Sequence, residues 1–298
     1  MMTFCDEKSG DKTITFQQCL DKSLQIAHYF QSEGFKKVKL CPHYVLMKAL
    51  LCILLCQGDI VCVFMENRLD YCCYWMGLSM IGVIPSLINN NLKHQSLTHT
   101  ITVISSKAVI FSAETEAAVS EIVPDLADLP LYSADQTELE GAVSLPRLLP
   151  SQSTEVMECK RSGYGDTMVY IYTSGTTGLP KAATVKHSRF LFAVYALYHG
   201  LVITEEDVLY SPLPMYHTAA GLMVTGCAFT EGTSTVARKK FSASQFWRDC
   251  VTHRVTVSLP TSQSVSQLPP RLLSISGSWL ATSTPPRCLS TRRSTASG

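Results

Sequence analysis

The residues most open to a chemical reading lie in one run, Tyr170-Ile171-Tyr172-Thr173-Ser174-Gly175-Thr176-Thr177-Gly178-Leu179-Pro180-Lys181. Gly175 and Gly178 let a ligand approach backbone N–H groups closely. The hydroxyls of Thr173, Ser174, Thr176 and Thr177 can donate to phosphate oxygens, and Lys181 adds a mobile positive charge. This is a phosphate cradle of another kind than the Walker loop, whose G-x-x-x-x-G-K-[ST] pattern is absent. A flexible polar turn is also rich in Gly and Thr, but does not need these positions in this order. A second run, Leu213-Pro214-Met215-Tyr216-His217-Thr218-Ala219-Ala220-Gly221, carries one histidine. Standing alone, such a histidine would more often be structural. The triplet Arg238-Lys239-Lys240 reads as a solvated turn.

The elements that must position these residues follow from local patterning. Strands are expected at Thr13–Phe16, Asp59–Phe64, Ala108–Phe111, Leu129–Tyr132, Thr167–Tyr172, Ala182–Val185, Val208–Ser211 and Thr233–Ala237. Helices are expected at Gln17–Glu33, Asp70–Ile81, Lys93–Ser105, Glu114–Ile122, Ser188–Gly200, Gly221–Phe229 and Ser242–His253, the last with Ser242 as its N-cap. Strands alternating with helices of this length indicate a mostly parallel α/β sheet, with the phosphate cradle between two strands. Ser133–Gly165 is polar and weakly patterned, and reads as a long connection.

Composition narrows the classes. Lysine and arginine total 25 against 24 acidic residues, a formal net charge of +1. That balance lacks the electrostatic footprint of a dedicated nucleic-acid binder. A hydrophobic fraction of 46% with 16% charged residues excludes a wholly disordered chain. The twelve cysteines include the group Cys41, Cys52, Cys56, Cys62, Cys72 and Cys73, which has no Cys-x-x-Cys pair and no following His-x(3–5)-His. They read as reduced, mostly buried small hydrophobes rather than a zinc site. No signal peptide is evident. Val38–Gln57 is apolar and falls where a helix should feed a strand. Its run Leu50–Cys56 is short of the roughly 20 residues that span a bilayer. A buried or interfacial helix and, on extension to Phe64, a membrane helix both remain open.

At every position of the pattern, Tyr170–Lys181 resembles the signature loop of the AMP-forming adenylate synthetase superfamily. The resemblance implies a doubly wound, mostly parallel α/β adenylation domain. Its loop, here Thr173, Ser174, Gly175, Thr176, Thr177, Gly178 and Lys181, holds the triphosphate of ATP while a carboxylate attacks the α-phosphorus. Leu213–Gly221 is similar to the family's next motif, which begins the wall of the acyl pocket. That similarity implies a catalytic role for His217 beside the carboxylate, a substrate contact for Tyr216, and a magnesium contact for Thr173. The stretch Arg238–Cys250 closely resembles the fatty acid transport proteins, the very-long-chain acyl-CoA synthetases. Thr13–Phe16, Val63–Asn67 and Asn89–Leu92 occur in the same family order. The implied reaction joins a long-chain fatty acid to CoA with ATP and Mg2+, at an endoplasmic reticulum or plasma membrane. An aryl- or amino-acid-activating enzyme would share the loop but lack Arg238–Cys250.

The resemblance runs from Thr13 to Val257 apart from the Val38–Gln57 insertion. Beyond it nothing matches the family's aromatic-Gly-x-Thr-Glu or Thr-Gly-Asp motifs, or its C-terminal lid with the catalytic lysine. The segment Ser258–Gly298 is rich in Ser, Thr and Pro, has four arginines and lacks Asp, Glu and Lys. It is expected to be a disordered tail. Residues 1–257 are thus expected to form a partial adenylation domain, and the 298-residue chain alone to be inactive. A truncated fragment without catalysis is the alternative reading.

Overall fold

A computed structural model describes residues 1–7, 10–36, 58–157, 162–173 and 178–258, with the backbone alone for 222–224. The expectations placed on Val38–Gln57, on Ser174–Thr177 and on the tail after Ser258 fall outside these residues.

The strands divide between two sheets where a single one was expected. The larger has the order β7 (Ala142–Ser144), β6 (Leu131–Ser133), β5 (Ala108–Phe111), β3 (Ile60–Phe64), β4 (Ile84–Leu87), β8 (Thr167–Thr173), β9 (Lys181–Lys186). Its pairs are parallel except β8–β9. The smaller has the order β12 (Val257–Ser258), β10 (Val208–Ser211), β11 (Ser234–Arg238), β1 (Met2–Cys5), β2 (Lys12–Ile14), parallel except β1–β2. The first strand therefore pairs with one more than two hundred residues later, Met2 opposite Thr235.

β3, the strand Ile-Val-Cys-Val-Phe, is buried along its whole length, as a parallel strand covered on both faces must be. Besides the two-residue β12, three strands were passed over in the sequence. β1 opens the chain, and the strand it pairs with, β11, lies more than two hundred residues later. β4 carries Pro85, which lacks a backbone donor and breaks the strand signal, yet it pairs with β3 on one side and β8 on the other. β7 and the helical turn α5 (Leu145–Leu148) lie inside the expected connection Ser133–Gly165, anchored by buried Leu145 and Leu149.

The helices cover these sheets. α1 (Phe16–Ser32) opens with a capping box in which Thr15 Oγ1 accepts from Gln18 N–H at 3.1 Å and Gln18 Oε1 accepts from Thr15 N–H at 2.9 Å. Thr15 and Phe16 thus belong to the helix start, not to a strand. α1 packs on α2 (Tyr71–Met80), followed by α3 (His94–Thr102), α4 (Glu116–Ser120), α6 (His187–Gly200), α7 (Thr225–Glu231) and α8 (Phe246–Thr252). A π-helical stretch, Ala219–Val224, runs into α7. α8 begins later than expected: its N-cap is Gln245, and Ser242 instead accepts with its carbonyl from Gln245 and Phe246 N–H. Among the described residues no helix is long and apolar enough to cross a membrane.

Candidate functional site

In open α/β sheets, ligands bind beyond the carboxyl ends of parallel strands. Here two sets of such ends converge on one cleft of ≈ 910 Å³. From the larger sheet come Glu66 and Asn67 after β3, Asn90 and Asn91 after β4, and Glu114 after β5. From the smaller come Asp6 and Glu7 after β1, Pro212–Pro214 and His217 after β10, and Lys239–Ser242 after β11.

The run expected to cradle phosphate connects the two strands of the β8–β9 hairpin, and Thr173 pairs with Lys181 at its base. Both side chains are exposed. Gly178 has φ +87°, a left-handed conformation that a side chain would strain, which explains glycine at that position. β8 runs parallel to β4, with Leu87 opposite Ile171, so Thr173 emerges at the same end as Asn89–Asn91. Thr173 and Lys181 stand near that rim but do not line the cleft itself. Tyr172 anchors the strand below them: its hydroxyl donates to the Thr100 carbonyl at 2.8 Å and meets Ser86 Oγ at 2.9 Å.

His217 lies on the cleft wall and is exposed. Its turn is held by backbone bonds, His217 N–H to the Pro214 carbonyl at 3.0 Å and Gly221 N–H to the His217 carbonyl at 2.8 Å. Tyr216 is half-buried beside Asn91 and Tyr71, and burial raises its hydroxyl above the ordinary value. Two prolines leave this segment short of donors, and a residue from the other sheet compensates. Buried Asn67 donates through Nδ2 to the Leu213 and Arg238 carbonyls, both at 2.8 Å, and accepts from Met215 N–H at 2.6 Å. Asn67 was visible in the sequence only as part of a matching stretch; its clamp joins chain segments far apart in number.

The basic triplet is not a solvated turn. Arg238 is buried and pairs with Asp249 at 2.7 Å and Glu7 at 2.5 Å. Tyr210 also donates to Asp249, at 2.7 Å. Lys239 reaches across the cleft to Glu114 at 2.9 Å and Glu66 at 3.4 Å, tying the second sheet to the first. Burial alone would raise the Glu114 carboxyl, but Lys239 holds it below its ordinary range. Only Lys240 of the triplet is exposed.

Two groups of three among the described residues could hold a metal ion: Cys5, Asp11 and His253, and Cys19, Cys72 and Cys73. The described cysteines are free and buried, as expected, and those of the second group also touch one another. Cys72 and Cys73 meet Cys19, from which they are more than fifty residues distant in sequence, and no spacing rule would link them.

The family model for AMP-binding enzymes matches residues 48–291. Long-chain fatty acid transport protein 1 of Rattus norvegicus is 40% identical over 206 residues, 67% of this chain and 32% of that protein. Long-chain fatty acid transport protein 6 of Homo sapiens is 31% identical over 248 residues, 82% of this chain and 37% of that protein. The chain thus spans about a third of the length of these relatives. A long-chain-fatty-acid-CoA ligase from Archaeoglobus fulgidus shares the fold at a TM-score of 0.76 with 17% identity, covering 92% of this chain and 50% of that one. The family match takes in the cradle hairpin and strands of both sheets rather than one short motif, and the chain belongs to the AMP-binding enzyme family.

Proposed function

We propose that this chain supplies the phosphate- and acyl-binding portion of a long-chain or very-long-chain fatty acid–CoA ligase linked to fatty acid transport. The cleft between the two sheets, with His217 on its wall, carries the proposal. A fatty acid carboxylate oxygen attacks the α-phosphorus of ATP and pyrophosphate leaves. The CoA thiolate then attacks the acyl carbonyl carbon, and AMP leaves with the electrons of the broken C–O bond. Thr173–Gly178 donate N–H and O–H groups to the phosphates, and Lys181 neutralises charge that develops on them. His217 donates to the carboxylate or the adenylate phosphate, and Tyr216 bounds the acyl group. Thr173 offers a magnesium ion one hydroxyl oxygen, which suits an ion that keeps waters and phosphate oxygens as its other ligands. The water-insoluble substrate places the protein at a membrane surface.

The test is ATP–pyrophosphate exchange by the full-length protein that contains this chain. Exchange should depend on palmitate or a longer acid, and fall at least tenfold in His217→Ala. Exchange supported equally by benzoate or amino acids, or indifferent to His217, would overturn the assignment.

A further inference from the structure

Cys19 on α1 and Cys72 and Cys73 on α2 converge beside Met2 of β1. The Sγ atoms lie 3.9 Å apart for Cys19–Cys72 and 3.4 Å for Cys19–Cys73, and all three lie within 4.8 Å of one another. All three side chains are buried. The Cys72 thiol also points at the Met2 thioether of β1, 3.6 Å away. We propose that this cluster binds a soft monovalent metal ion, Cu(I), through the three cysteine sulfurs with the Met2 thioether alongside.

The geometry is close to what such an ion requires. With metal–sulfur bonds of about 2.3 Å, the length found for zinc, a trigonal site sets its sulfurs about 4.0 Å apart. Cys19–Cys72 already has that separation, and Cys19–Cys73 needs to open by about 0.6 Å. The donor set is thiolate and thioether without imidazole or carboxylate, which selects Cu(I) over harder ions. Zinc would need a fourth strong ligand, and the thioether is a weak one.

The frame around the cluster is rigid. One turn along each helix, a Cβ on Gly77 would lie 2.6 Å from the Ser23 carbonyl oxygen and 2.8 Å from Ile26 Cβ, so α1 and α2 meet at backbone distance. That contact fixes Cys19 against Cys72 and Cys73. Binding releases thiol protons to solvent and leaves the site negative. Lys22, one turn beyond Cys19, supplies positive charge nearby, shared with Asp70 at 2.6 Å. Its side chain is 34% exposed, so this charge remains partly solvated.

The experiment titrates Cu(I) anaerobically into the full 298-residue chain against a chromophoric Cu(I) chelator. Cys41, Cys52, Cys56, Cys159 and Cys288, which lie outside the described residues, are replaced by serine to keep them out of the count. This background should bind one equivalent. Cys19→Ser and Cys73→Ser should each weaken that equivalent at least a hundredfold, and Cys227→Ser, outside the cluster, should leave it unchanged. X-ray absorption of the bound ion requires no variant at the cluster and reports its neighbours even if the serine variants misfold. Three or more sulfurs support the site. Two or fewer, or equal binding by Cys19→Ser, overturn it.

Discussion

At the scale of single residues, two side chains bear most directly on the site. Lys181 stands at the base of the β8–β9 hairpin with its side chain exposed. If it neutralises developing charge there, Lys181→Ala in the full-length protein removes one preorganised donor. The expected cost is about 3–4 kcal/mol, or roughly a 100- to 1000-fold loss of adenylate formation. Unchanged pyrophosphate exchange would remove Lys181 from the mechanism. Asn67 acts differently, because its side-chain amide is taken up by backbone bonds that position the His217 segment. Asn67→Ala leaves two carbonyls and one N–H buried without partners, at about 1–3 kcal/mol each before relaxation. A net destabilisation of about 3 kcal/mol is expected from urea unfolding. A loss below about 1 kcal/mol would mean that the turn holds itself.

Among the elements, the α1–α2 pair is the most tightly specified. Gly77→Ala places a methyl group against the backbone of Ser23, which cannot rotate away. The helices must separate, and overpacking of this kind costs about 1–3 kcal/mol. Denaturant midpoints would measure it, and a neutral result would show that the helices slide freely. The capping box at the start of α1 is a smaller feature. Thr15→Ala removes the acceptor for Gln18 N–H and is expected to cost about 1 kcal/mol. The β8–β9 hairpin shows how an element can be read locally: its apolar run and Gly-rich turn are contiguous. The β4 strand shows the opposite case, since Pro85 hides it and only its neighbours on both sides reveal it.

Over the whole molecule, partly buried ion pairs link segments remote in sequence and make stability depend on pH. Arg68 binds Asp70 at 2.6 Å and Asp135 at 2.7 Å, and Lys22 adds a second cation at Asp70. Burial alone would raise both carboxyls, but these cations hold them below the ordinary range. Lys239 does the same for Glu114 across the cleft. A carboxylate depressed in the folded state contributes stability above its unfolded value, about pH 4, and loses it as pH falls through the folded value. Urea midpoints should therefore fall as pH drops from about 5 to about 2. The difference between the native chain and Arg68→Met should shrink over the same range, because protonated carboxyls no longer need the guanidinium. A difference independent of pH would show that Arg68 acts by packing alone.

The amino-acid order by itself determined the family and the strand–helix alternation and marked the run expected to cradle phosphate, because each is written in contiguous residues. Thr173–Lys181, Asp59–Phe64 and Ala108–Phe111 are each one short contiguous run. Only the tertiary structure decided that these strands form two sheets, that β1 lies beside β11, and that Arg238 is buried rather than solvated. It also placed Asn67 beneath the His217 turn and Cys19 against Cys72 and Cys73. The physical reason is the same throughout. Local propensity and turn chemistry act over a few residues, whereas pairing, burial and ion-pair formation depend on which distant segments fill the same space.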